Sequence, residues 1–232
     1  GVKAKGACEF MADIAEPLPV TVSLKLFGLP LEQARQFRDL TTDHLASQAD
    51  PDPSKIGGRM RKVADALKPT ILEKQKNPGS DIISLLWQSE FDGRPAELFD
   101  MESYGVMLFI AGLDTVYNGM GLGAIHLAKN PDLQAELRAN PKLIPEASEE
   151  ILRRYSFTVP PRFVTRDLDF QGVTMKKGEK ALMFLPAADL DASEFPEPGV
   201  FNMKRENNVH IAFGAGPHRC LGSHHARLML AT

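Results

Sequence analysis

Phe213-Gly-Ala-Gly-Pro-His-Arg-Cys220-Leu-Gly222 is the stretch on which the fold turns. Glycines and a proline crowd around one cysteine, and an amphipathic pattern opens directly after it at Ser223. Glycine lets a backbone approach a flat body closely and adopt conformations closed to other residues. A cysteine at the start of a helix, beside His218 and Arg219, suits work as a ligand or a nucleophile. The loop alone leaves three readings open. The cysteine is buried and inert, or it joins His210, His218, His224 and His225 in a zinc site, or it is the axial thiolate of a haem.

Outward from the loop, the chain before it is irregular from Asp189 to Asn208, with Pro196, Pro198 and Gly199. Structureless segments of that length are usually functional or wrap something. Arg162 to Phe170 has the β-branched and aromatic content of a strand pair, and Lys177-Gly178 marks a turn before the apolar stretch Ala181–Leu185. Everything earlier reads as helix. Helices are expected from Leu31, over about 55–76 with a bend at Pro69, over 82–88 behind an Asp81 cap, and over 132–139 and 144–155. Between Leu98 and Lys129 no proline intervenes, so one helix about 48 Å long is expected at 1.5 Å per residue. The fold class is mostly α with a small β portion, in a single domain over 1–232.

Composition narrows the function. The 232 residues carry 27 Lys and Arg against 30 Asp and Glu, a net charge of −3 that argues against a nucleic-acid binder. The longest uninterrupted apolar run, Gly105–Leu113, is too short to span a bilayer, and no apolar signal core follows the N-terminus. With only Cys8 and Cys220, no disulfide framework is possible, and a cytoplasmic protein without membrane partners is expected. There is no initiator methionine, and the last residues run through a helical pattern without a stop, as in a fragment lacking both ends.

Phe213, Gly216, Cys220 and Gly222 match the F-x-x-G-x-x-x-C-x-G signature of the cytochrome P450 family. Glu150-Ile-Leu-Arg153, seventy residues before the cysteine, resembles that family's E-x-x-R motif. Ala111-Gly-Leu-Asp-Thr115, in the middle of the long helix, resembles its oxygen-activation motif. The flanking residues look closest to the bacterial camphor monooxygenase branch.

The resemblance implies a partial P450 fold and haem b held by Cys220, with Phe213, Gly216 and Gly222 shaping the loop. It implies that Arg162 and His218 bind a haem propionate and that Glu150 and Arg153 form a buried structural pair. Thr115 would hold a water or proton donor and Asp114 would relay protons to it. Read without the resemblance, Thr115 is a mid-helix threonine bonded back to the Ala111 carbonyl, and Glu150–Arg153 is a surface ion pair. Met107, Ile110, Ala111, Thr158 and Val159 would wall an apolar pocket, or else simply pack in the core. His224 and Arg227 would lie on the face that meets a ferredoxin-type electron donor. The implied activity is hydroxylation of a small apolar, camphor- or terpenoid-like substrate. A haem-thiolate peroxygenase or reductase, and a non-catalytic haem sensor, are the alternatives.

Overall fold

The computed structural model describes residues 2–46 and 53–232. The texture of the sequence suggests one domain, whereas close contacts fall into two units, Gly1–Gly121 and Leu122–Thr232.

The first unit runs through α1 (Val2–Lys5), a π-helical turn (Met11–Ala15), α2 (Pro17–Phe27), a 3-10 turn (Leu31–Gln33), α3 (Ala34–Ala46), α4 (Pro53–Lys76) and α5 (Ile82–Trp87). A short ribbon, β1 (Glu90–Phe91) against β2 (Arg94–Pro95), then leads into α6 (Leu98–Lys129). The prolines of α2 fall in its first turn, where a missing N–H costs nothing. Its C-terminus is closed by Gly28 at φ 67°, whose N–H reaches back to the Leu24 and Lys25 carbonyls. A Cβ at Gly28 would come within 2.9 Å of the Asp81 carboxyl carbon, so glycine is needed there for space as well as for backbone. Asp81 is in turn the N-cap of α5, accepting the Ser84 N–H at 2.9 Å, as expected from the sequence. The helix α4 continues through Pro69.

Leu24, Phe27, Phe37, Leu67, Ile71 and Phe109 are at the centre of the core, with Phe109 ringed edge-on by Phe27 at 5.6 Å and tilted against Phe37 at 4.8 Å. Burial of Phe109, Leu113 and Val116 fixes the rotation of α6 about its axis. Met107, Ala111 and Thr115, four residues apart, therefore share a face that is exposed. By length and hydropathy alone, the 32-residue α6 passes as a bilayer span, contrary to the expectation drawn from its longest uninterrupted apolar run. A core helix with one side buried in a soluble protein passes the same test.

The second unit takes in the end of α6, then α7 (Pro131–Ala139), α8 (Ile144–Arg154), β3 (Pro161–Phe163), β4 (Leu168–Phe170), β5 (Val173–Met175), β6 (Lys180–Leu182), α9 (Leu185–Ala188) and α10 (Ser223–Leu230). The run 162–170 is not a pair of strands facing each other. β3 pairs antiparallel with β6, and β4 pairs antiparallel with β5. The turns decide this. Gln171 and Gly172 at φ 48° and 83° make a tight hairpin between β4 and β5. Gly178 at φ 91° then returns the chain to β3, its N–H bonding the Val164 carbonyl at 2.8 Å.

Candidate functional site

The cysteine loop is built by the backbone. The Cys220 N–H donates to the Phe213 carbonyl at 2.8 Å, and the Gly214 N–H donates to the Ile211 carbonyl at 2.7 Å. Gly214 and Gly216 have φ of 69° and 65°, which L side chains rarely adopt. A 3-10 turn over Gly216–His218 then presents Cys220 exposed, ahead of the Gly222 cap of α10. His218, Arg219 and Leu221 are exposed beside it, and Thr158 ties in by donating to the Ala212 carbonyl at 3.1 Å. Val159 is half-buried. Arg162 is exposed on β3, and its guanidinium donates to its neighbour's carbonyl, that of Pro161, at 2.9 Å. The adjacent prolines still fit this strand, because Pro160 needs only its carbonyl, which accepts the Met183 N–H at 3.0 Å.

Beneath the loop, Glu150 and Arg153 are fully buried and paired through two hydrogen bonds of 2.8 Å. This is not a surface ion pair. Arg205 also donates to Glu150, at 3.0 Å, and the Asn202 N–H adds a further bond at 3.0 Å. Arg153 directs two further N–H groups to the carbonyls of Asp189 (2.7 Å) and Pro198 (2.9 Å). Burial pushes the Glu150 carboxyl up, but the bonds from Arg153, Asn202 and Arg205 outweigh it and hold the pKa below the usual glutamate range. The irregular segment is thus strapped by its own carbonyls to one helix. Arg205, Asn202 and Asp189 carry no spacing signal toward Glu150. The clue available in the sequence was an arginine within a proline-rich stretch whose carbonyls need donors.

A second cluster joins α8 to α10. Glu149 accepts bonds from Arg227 and from His210, and the Arg227 guanidinium lies 4.6 Å from the centre of the Phe213 ring. His224, by contrast, is exposed. Among the described residues, no three His, Cys, Asp or Glu side chains are arranged to hold a metal ion, and the zinc reading gains nothing from the geometry.

In the first unit, Thr115 Oγ1 donates to the Ala111 carbonyl at 2.8 Å, the bond that local helix chemistry alone favours. The Asp114 carboxylate accepts from Asn118 Nδ2 at 2.9 Å, a partner one turn on that sequence reading passed over. Asp114 also lines a cleft of about 430 Å³ together with Glu16, Arg38 and Tyr117, in which Arg38 pairs with Glu16 at 3.4 Å. Met107 is half exposed and Ile110 half-buried.

The residues of the second unit fit a haem. A single exposed thiol, projecting from a loop between an exposed histidine and exposed apolar Leu221, suits an apolar ligand that needs one soft donor and a cation for its carboxylates.

Comparison with known proteins shows the family. The profile described as Cytochrome P450 matches residues 55–232, well over half of the chain. A probable cytochrome P450 127A1 from Sinorhizobium fredii is 33% identical over 225 residues, covering 97% of this chain and 53% of its own length. The steroid C26-monooxygenase of Mycobacterium tuberculosis (strain CDC 1551 / Oshkosh) is 33% identical over 236 residues, covering 98% of this chain and 62% of its own. The crystal structure of CYP101J2 superposes with a TM-score of 0.90 at 30% identity, covering 100% of this chain and 57% of that one. The chain therefore spans a little over half the length of the proteins it matches. On the profile match, the relatives and the shared fold, the chain belongs to the cytochrome P450 family.

Proposed function

We propose that the chain is part of a haem-thiolate monooxygenase that inserts one oxygen atom of dioxygen into a small apolar substrate. The observation that carries this reading is the exposed Cys220, pinned by its own amide to the Phe213 carbonyl and flanked by His218. When bound, haem b supplies the oxygen chemistry, and a thiolate ligand favours O–O cleavage by electron donation. Cys220 Sγ would be its ligand, and His218 and Arg162 would bind a propionate, for which arginine's fork is suited.

Thr115 and Asp114 handle protons. In its present rotamer the Thr115 hydroxyl hydrogen is committed to Ala111, so Oγ1 is left to accept. Thr115 Oγ1 would hold a water as proton donor, and Asp114, steadied by Asn118 and lining the cleft, would relay protons to it. Small side chains at Ala111 and Gly112 leave room on the exposed face of α6, where Met107 and Ile110 add apolar surface, and Thr158 and Val159 are the substrate-facing candidates of the second unit. One relative is named for a steroid, which supports an apolar substrate class without narrowing it to camphor-like terpenoids. Electrons come from a separate ferredoxin-type protein, for which exposed His224 is the open part of the docking face. Arg227 is already engaged by Glu149. Unpaired Cys8 and Cys220 suit a reducing, cytoplasmic setting.

Turnover of the haem-loaded protein under isotopically labelled dioxygen tests the proposal. One labelled oxygen atom per product molecule is expected. Product formed only when peroxide is supplied would favour the peroxygenase reading instead.

A further inference from the structure

Asp189 is fully buried, yet neither arm of the buried ion pair uses its carboxyl. Its backbone carbonyl accepts Arg153 at 2.7 Å. Its side-chain Oδ1 accepts the N–H of Ile211, also at 2.7 Å and 22 residues away in sequence. Ile211 is where the cysteine loop begins. Its own carbonyl takes the Gly214 N–H, and Phe213, between them, holds the Cys220 amide. One residue therefore touches the helix pair with its backbone and the ligand loop with its side chain.

We propose that Asp189 is a positioning residue for Cys220, passing the fixed geometry of Arg153 through its carboxyl to Ile211 and hence to the cysteine loop. The proposal rests on the reading of Cys220 as the haem ligand. The second carboxyl oxygen, Oδ2, and the nearby Ser156 Oγ are both buried without a hydrogen-bond partner among the described residues. Burial pushes the Asp189 carboxyl up against the opposing pull of the Ile211 N–H, Ser156, His210 and Arg153. A proton on Oδ2 would face Ser156, and an amide nitrogen at the same place would do so permanently. Asparagine is thus the conservative replacement, because it keeps the acceptor for Ile211 and adds a donor toward Ser156.

The test is the carbon-monoxide spectrum of the reduced, haem-loaded protein, read beside its thermal melting, in wild type and in D189N, D189A and D189L. D189N is expected to keep the thiolate band at the wild-type fraction. D189A and D189L, which lack the acceptor, are expected to retain haem but to lose thiolate-ligated species about fivefold, in keeping with one lost buried hydrogen bond. D189A and D189L that melt earlier with an undiminished thiolate band would overturn the proposal, leaving Asp189 a packing residue. A wild type with no thiolate band would overturn the ligand reading itself. If the two acceptor-free variants fail to fold, hydrogen exchange on wild type decides. An Ile211 amide protected like those inside α8 supports the proposal, and one that exchanges at the rate of an unstructured peptide amide overturns it.

Discussion

Glu149, next to the buried pair on α8, holds Arg227 of α10 by a two-pronged ion pair, Nε at 2.5 Å and Nη2 at 3.0 Å. Burial pushes the Glu149 carboxyl up, but the bonds from His210 and Arg227 outweigh it and hold its pKa at about 2. A folded-state pKa below the unfolded one contributes stability that is complete above the unfolded value of 4.5 and is lost as pH falls toward about 2. Chemical denaturation at pH 7 and at pH 3 is expected to show Glu149→Gln less stable by about 1–2 kcal/mol at pH 7 and by a clearly smaller margin at pH 3. An equal deficit at both pH values would contradict the assignment.

Arg153 is the costliest single position. Arg153→Leu leaves the Glu150 carboxylate with Arg205 and the Asn202 N–H, and frees the carbonyls of Asp189 and Pro198 inside the protein. A loss of about 3–5 kcal/mol in denaturant midpoint analysis is expected, as for one partner removed from a buried ion pair. A loss below about 1 kcal/mol would match a surface pair.

His126, at the end of α6, is buried, with Nδ1 2.8 Å from the Tyr155 hydroxyl and its ring tilted against that of Phe201 at 4.3 Å. Burial, with the Arg154 charge, lowers its pKa from 6.5, so the neutral ring is the folded form. The stability this provides is present above 6.5 and is lost as pH falls below it. His126→Phe is expected to flatten the melting temperature between pH 7 and pH 5, where wild type declines. A wild-type melting temperature constant over that range would contradict the prediction.

Thr115→Ala removes an exposed hydroxyl and little volume, so haem and substrate binding are expected to persist. Product per reducing equivalent is expected to fall while hydrogen peroxide rises. Asp114→Asn keeps the alcohol, and turnover is expected to slow about tenfold, equivalent to about 1.4 kcal/mol of barrier, with coupling less affected. Full coupling in Thr115→Ala would leave this threonine as a back-bonded helix residue.

How much of this was legible in the chain varied with the kind of signal. The bounds of α6 followed from an uninterrupted helical pattern between Asp92-Gly93-Arg94-Pro95 and Pro131, because proline punctuates locally. The pairing of β3 with β6 did not follow from composition, since alternation marks a strand but not its partner, and a turn at Gln171-Gly172 was needed to settle it. At the site, Cys220 and the Glu150–Arg153 pair were marked by the family motifs they resemble, whereas spacing alone left the pair on the surface. Arg205 and Asp189 carried no such mark, as their partners lie in distant segments and only the tertiary fold brings them together.

The central claim is that Cys220, and not Cys8, is the haem ligand. The reduced carbon-monoxide spectrum of the haem-loaded protein measures this directly in wild type, Cys8→Ser and Cys220→His. The account predicts a thiolate band in the first two and its loss in Cys220→His, with some haem retained. An unchanged spectrum in Cys220→His would contradict it.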